Sequence, residues 1–209
     1  NLPTDFYSEA AQGVFRLSSK NHVDLPIDVE GETLHFLLSH PTPPVFDGPE
    51  DRNGRRNHDE IRLWADYLTP DKAGYLIDDQ GRAGGLPEGE HFVLAGDQNA
   101  DPFDGDSLDG AINLLLDHPR VQNSPAPEGD GGAQAQASEG VNANHEGPVA
   151  QDTADFNNNN TGNLRLDYVL PSRTLELNDA EVFWPAPDDA DAALIEASDH
   201  RLVWIDVAL

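Results

Sequence analysis

The chain has 209 residues, enough for one domain, with 37% hydrophobic residues and a formal net charge of −27. Such a charge argues against a general nucleic-acid binder, because a polyanion is repelled unless a local basic patch or bound cations reverse the field. It suits a protein working in high salt, where screening is strong. Cysteine is absent, which excludes a disulfide framework and thiol chemistry, and no run of about 18 apolar residues is available to span a membrane.

Asn1 to Asp5 do not read as a signal peptide. A chain that opens on Asn1 and lacks methionine leads us to expect a native start further upstream. Phe6, Tyr7, Phe15 and Leu17 are expected to anchor the first 21 residues to a core. From His22, the apolar Val23, Leu25, Ile27 and Val29 alternate with other residues, which predicts a half-buried strand, and Pro26 makes it an edge strand or an irregular one. Glu30-Gly31-Glu32 signals a turn and Leu34 to Ser39 a second strand, so the two form an antiparallel hairpin. His40 stands at the end of that strand, stiffened by Pro41, Pro43 and Pro44; in isolation it reads as an ordinary loop histidine.

Residues 45–56 read as a polar loop with the chain's only arginine cluster, Arg52, Arg55 and Arg56. The cluster is either a local anion site or a set of partners for Asp47, Glu50 and Asp51. A helix is predicted from Asn57, opened by the capping-box-like Asn57-His58-Asp59-Glu60, with Ile61, Trp64, Ala65 and Leu68 on its buried face. Residues 70–90 read as loop.

Phe92-Val93-Leu94-Ala95 predicts a short buried strand at the centre of the domain. Gly96 ends it. Asp97 and Asn99 follow two residues apart, on one side of an extended backbone. The carboxylate can hold a metal or orient a water, and the amide can donate to an anionic oxygen; the local alternative is an Asx-type turn. Asp101, Asp104 and Asp106 invite an EF-hand reading that fails: counting from Asp97, the sixth position is Pro102 and the twelfth is Leu108. Ser107 is expected to cap a short helix carrying Ala111, Leu114 and Leu115. Residues 122–151 are low in complexity with almost nothing to bury, and read as a mobile surface insertion. Leu164 to Leu170 reads as one strand stopped by Pro171, and Val182 to Trp184 as another. Asp188 to Glu196 reads as an acidic loop or short helix. Ser198-Asp199-His200 opens a final strand from Arg201 to Val207.

Four elements join an apolar strand to polar groups: Ser39-His40, Gly96-Asp97-Gln98-Asn99, Arg165-Leu166-Asp167-Tyr168 and Ser198-Asp199-His200. In order and type they resemble the endonuclease/exonuclease/phosphatase superfamily of metal-dependent phosphohydrolases, over roughly residues 22 to 209. The resemblance implies an α+β fold, a four-layer α/β/β/α sandwich with the site at strand ends. It implies a metal-dependent phosphoesterase using Mg²⁺, with Mn²⁺ or Ca²⁺ as alternatives. His200 would be general base or charged partner of the phosphate, and Asp167 would fix its tautomer. Asp97 would orient the attacking water, Asn99 and His40 would bind phosphate oxygens, and Asp199 would sit near the metal. Ser39 and Ser198 would support the backbone, and Arg165 would brace loops by pairing with a carboxylate. Separately from the resemblance, residues 41–56 follow His40 directly, so Arg55 and Arg56 are expected to line the substrate side.

The family's early Asn and metal-binding Glu have no counterpart before His40, since Glu9 lies in an irregular region and Glu30 and Glu32 at a turn. The expectation is therefore a single domain over residues 1–209 that is N-terminally incomplete, its first half upstream or on a separate chain. A small or lipid-like phosphoester is favoured over nucleic acid, and an extracellular or periplasmic location is expected. The competing reading is a non-catalytic acidic cation-binding or interaction module of the same fold, built on Asp101, Asp104 and Asp106.

Overall fold

The computed structural model describes residues 6–209; Asn1 to Asp5, read above as no signal peptide, lie outside the described residues. In chain order the elements are α1 (Glu9–Gln12), β1 (His22–Val29), β2 (Glu32–Ser39), α2 (Arg52–Tyr67), β3 (His91–Asp97), α3 (Asn113–Leu116), β4 (Glu128–Gly129), α4 (Gly132–Gln136), β5 (Ala154–Asp155), β6 (Asn163–Leu164), β7 (Asp167–Pro171), β8 (Glu176–Phe183) and β9 (Leu202–Ala208). They build an α+β fold from a four-stranded sheet ordered β1-β2-β3-β7, a three-stranded sheet ordered β4-β8-β9, and the short pair β5-β6.

The expected hairpin is present, with β1 antiparallel to β2 and Pro26 opposite His35. Because β1 is the outer strand, the missing N–H of Pro26 interrupts no interior ladder. Strand β3 lies between β2 and β7, parallel to the first and antiparallel to the second. A parallel neighbour requires a crossover, and α2 supplies it. Leu37, Phe92, Leu94, Tyr168 and Leu170 turn one face of this sheet to Ile61, Trp64 and Leu68 of α2, with Ile112 and Leu115 alongside, in the main core. On the opposite face, Asp167 and Val169 of β7 share a crevice with Val182 and Val203 of the second sheet. Towards β1 that face opens: Leu25 is 48% and Ile27 38% exposed.

Three segments differ from expectation. The helix begins at Arg52, not Asn57, so the arginine cluster is helical and Asn57 is an interior position, fully buried. Its amide donates to Thr42 O and Gln98 O, both at 2.9 Å. The predicted strand over Leu164 to Leu170 is broken into β6 and β7, because the intervening backbone donors are taken by side chains. Arg165 N–H donates to Asp101 Oδ2 at 2.7 Å, and the Leu166 and Asp167 N–H groups donate to Thr153 Oγ1 at 2.9 Å. Finally, residues 122–151 contain more buried structure than their composition suggested. Strand β4 pairs with β8, and Ala133 of α4 packs with Val182 and Trp184. Small residues permit this contact: a β-carbon on Gly132 would overlap the indole of Trp184.

Candidate active site

The strand directions bring one edge of the first sheet into focus. Because β2 and β3 run parallel, their C-terminal ends, carrying Ser39-His40 and Asp97, lie together; because β7 runs antiparallel to β3, its first residue, Asp167, lies there too. Asp97 and Asp167 are registered directly opposite one another. Like charges in opposed cross-strand positions destabilise a sheet, so this pair calls for a compensating charge.

His200 provides part of it. Thr153 to Asp155 join β6 to the segment before β9: Ala154 bridges His200, Asp155 N–H donates to Asp199 O, and Arg201 N–H donates to Thr153 O. Arg201 secures the segment, with an ion pair to Asp155 at 2.7 Å and its guanidinium over the ring of Trp184. His200 Nδ1 thereby reaches Asp167 Oδ2 at 2.7 Å. One ligating atom each from Asp97, Asp167 and His200 lie within 4.8 Å of one another. His40 Nε2 joins them, 3.3 Å from Asp97 Oδ2.

The electrostatics follow from this arrangement. Burial pushes the Asp97 carboxyl above its usual range, the Asn99 N–H opposes that, and the charge of Asp167 raises it further. The hydrogen bond to Asp167 raises the pKa of His200, against the effect of burial; Asp97 and Asp199 add to the rise. The His200–Asp167 pair stabilises the fold fully below the ordinary histidine value of about 6.5, and its contribution fades as pH climbs through the raised folded-state value. NMR titration of His200 should show a pKa above the ordinary value in the native chain and a lower one in Asp167→Asn; an unchanged value would remove Asp167 as the cause.

A divalent cation suits this donor set. Two hard carboxylates converge, and Asp167 Oδ1 accepts no hydrogen bond among the described residues, while Oδ2 accepts from Thr153 Oγ1 as well as pairing with His200. Asp199 does not join the group; its side chain is exposed, and it acts on His200 through its charge alone.

Other expected residues are placed differently. Asn99 meets Asp97 through an Asx-type turn, with a left-handed backbone at φ 49°, rather than by extended alternation. Its N–H donates to Asp97 Oδ1 at 2.7 Å, and its side-chain amide donates to Pro41 O and Asp97 Oδ2, each at 3.2 Å. Arg55 and Arg56 are not brought to the site. Arg55 Nε donates to Glu50 O; Arg56 donates to Leu17 O and Arg16 O and lies over the Phe15 ring. Arg165 braces loops through amide oxygens of Gln151 and Asn123 rather than a carboxylate. Ser39 Oγ donates to Gln98 and accepts from Trp64 Nε1, tying the end of β2 to α2, and Ser198 Oγ accepts from the N–H of His200.

Two residues were not legible as site components. Glu60 is buried, and its carboxylate accepts from the N–H groups of Ser19 and Thr42, clamping the chain just past His40. Thr153 is the larger omission: its hydroxyl serves Asp167 and two backbone donors, yet a lone threonine beside a low-complexity stretch gives no sequence signal. Thr153→Val should cost about 2 kcal/mol through unsatisfied buried N–H groups, read as a lower urea midpoint at unchanged slope; an unchanged midpoint would show that those groups find other acceptors.

The family model described as the endonuclease/exonuclease/phosphatase family matches residues 12–200. No curated protein matches the chain. Similar solved structures include an endonuclease/exonuclease/phosphatase family protein from Leptotrichia buccalis, at 15% identity and TM-score 0.47, covering 90% of this chain and 53% of that one. A mannosyl-6-phosphatase from Bacteroides thetaiotaomicron aligns at 14% identity and TM-score 0.45, over 86% of this chain and 52% of that one. Beta toxin from Staphylococcus aureus with bound magnesium ions aligns at 13% identity and TM-score 0.41, over 87% and 52%. The chain thus spans about half the length of the solved structures it matches, and the expectation of a missing first half gains no support from the family match. The chain belongs to the endonuclease/exonuclease/phosphatase family.

Proposed function

We propose that the chain carries the catalytic centre of a metal-dependent phosphoesterase that hydrolyses its substrate by in-line attack of water. The observation that supports this reading best is the convergence of Asp97, Asp167 and His200 at adjoining strand ends. Asp167 holds Nδ1 of His200, which fixes the tautomer and leaves Nε2 to take the proton of the attacking water or to face a phosphate oxygen. Asp97 orients the water. His40, beside Asp97 and half exposed, donates to a phosphate oxygen, and the Asn99 amide does so once it releases Pro41 O. Asp97 and Asp167 are the residues that would hold the metal, Mg²⁺ or alternatively Mn²⁺ or Ca²⁺. When bound it would neutralise phosphate charge and stabilise the leaving oxygen.

The net charge of −27 favours a small or lipid-like phosphoester over a nucleic acid. No helix among the described residues is long and apolar enough to cross a membrane; extracellular or periplasmic residence is part of the proposal. The competing cation-binding module is disfavoured because two of its three carboxylates, Asp101 and Asp104, are engaged by backbone donors. Asp101 accepts from the N–H groups of Phe103, Asp104 and Arg165, and Asp104 from those of Glu146 and Gly147.

The test is hydrolysis of bis(p-nitrophenyl) phosphate and p-nitrophenyl phosphate with Mg²⁺ or Mn²⁺. Turnover that EDTA abolishes and added metal restores is expected. Equal turnover with and without metal would refute the metal-dependent reading, and a folded chain inactive on both esters would count against catalysis itself.

A further inference from the structure

A cavity of about 320 Å³ adjoins the catalytic centre, with His200 and Asn99 among its lining residues. Pro43, Pro44, Val45 and Phe46, from the loop between β2 and α2, form part of it; Phe156, Leu164 and Leu166 line it from the segment between β5 and β7. Its size lies at the small end of the range of small-molecule sites, and no lysine or arginine lines it. The charged groups it does contain are Asp101, Asp104, Asp106 and the catalytic histidine. Asp101 and Asp104 are held by backbone donors, as described above, and Asp106 is exposed. The charged groups an anion placed here would meet past His200 are all carboxylates, with Asn99, Ser107 and Thr161 as neutral polar neighbours, whereas an uncharged hydrocarbon would meet proline, valine, leucine and phenylalanine.

Phe46 provides a second, independent observation. It is 87% exposed and sits in the left-handed region at φ 65°. A bulky residue rarely adopts that conformation, and strain of this kind clusters at ligand-binding positions. Burying the ring against a ligand would recover apolar area that the free chain leaves in water.

We propose that this cavity is the subsite for an uncharged apolar group esterified to the scissile phosphate, and that Phe46 is a specificity-determining residue for it. The proposal rests on the phosphoesterase reading and deepens it: the phosphate occupies the centre at His200, and its alkyl or aryl substituent fills the adjoining cavity. Substrates with a second negative charge on that substituent are rejected.

The experiment is calorimetric titration, in Mg²⁺ buffer, with methyl, butyl and hexyl phosphate, a carboxylate-terminated chain of hexyl length, and 1-hexanol. Affinity should rise about threefold per methylene, so that hexyl phosphate, longer by about five methylenes, binds about two-hundredfold tighter than methyl phosphate. The carboxylate-terminated chain should lose most of that gain. Phe46→Ala should cut the hexyl gain while leaving methyl phosphate unchanged, and Thr161→Trp, at an exposed lining position, should abolish the gain by filling the space. Affinity independent of chain length with methyl phosphate still bound, or a carboxylate tail as good as hexyl, would overturn the subsite alone. Binding of hexanol with no binding of any phosphate would instead overturn the phosphoesterase reading, and with it the assignment of the cavity to a phosphoester.

Discussion

Replacing His200 with alanine is expected to lower phosphodiester turnover by about a thousandfold, the range in which a positioned acid–base group operates, while the native fold persists. The residue lies at the surface end of a strand and is only partly buried, so its loss opens no core cavity. What it removes is the group held at 2.7 Å by Asp167 and carrying the imidazole function. Asp167→Asn should give a smaller fall at saturating metal, because the imidazole remains but its tautomer and charge are no longer fixed, and it should raise the metal concentration that turnover needs, because one carboxylate beside Asp97 is lost. Steady-state kinetics with circular dichroism as the control for folding separates the two. Turnover in His200→Ala within a fewfold of the native chain would remove His200 from the mechanism.

Gly96→Ala is expected to destabilise the chain by about 4 kcal/mol, combining left-handed backbone strain with steric overlap. Gly96 has φ 139°, and a β-carbon there would collide with the carbonyl oxygen of Ser39 at the end of β2. The two strand ends that present His40 and Asp97 touch at this point, so relief of the collision must displace one of them. Gly89→Ala isolates the backbone contribution: its φ is 86°, but a β-carbon meets nothing within 4 Å. It should cost about 1 kcal/mol. Urea denaturation of both variants checks the difference; equal costs would mean that the β2–β3 contact can relax freely.

The parts of the fold visible in the sequence are those governed by side-chain periodicity. Strand β1 alternates over its whole length, β2 follows the turn signal as a mostly apolar run, and Pro26 marks an edge. Strand β3 is a continuous apolar run because it is buried on both faces. Where backbone donors are satisfied by side chains, periodicity misleads: Leu164 to Leu170 alternates like one strand, yet Asp101 and Thr153 take the donors in its middle. The start of α2 was hidden for a related reason. Arg52, Arg55 and Arg56 look like loop by composition, but their charges are met by Glu50 and by carbonyls of the N-terminal segment, contacts distant in sequence or outside any motif.

At the site, Asp97, Asp167, His200 and His40 were legible because each stands at the mouth of an apolar strand, and topology then unites them. Asn99 was legible as a neighbour of Asp97, though the Asx turn rather than strand alternation joins them. Asp199 belongs to the same sequence motif as His200 but is exposed, at a bend of the chain just before it. Thr153 and Glu60 were invisible because their roles depend on segments 13 to 41 residues away.

Asp97, Asp167 and His200 are proposed to form one cation- and phosphate-binding centre on a chain of net charge −27. Paramagnetic broadening of NMR signals by Mn²⁺ tests it most directly, because the readout is local. Substoichiometric Mn²⁺ is expected to broaden Asp97, Thr153, Asp167 and His200 first, and Asp97→Asn combined with Asp167→Asn is expected to remove this effect. Broadening that begins instead at the exposed acidic stretch around Asp188 to Asp191, with His200 spared, would contradict it.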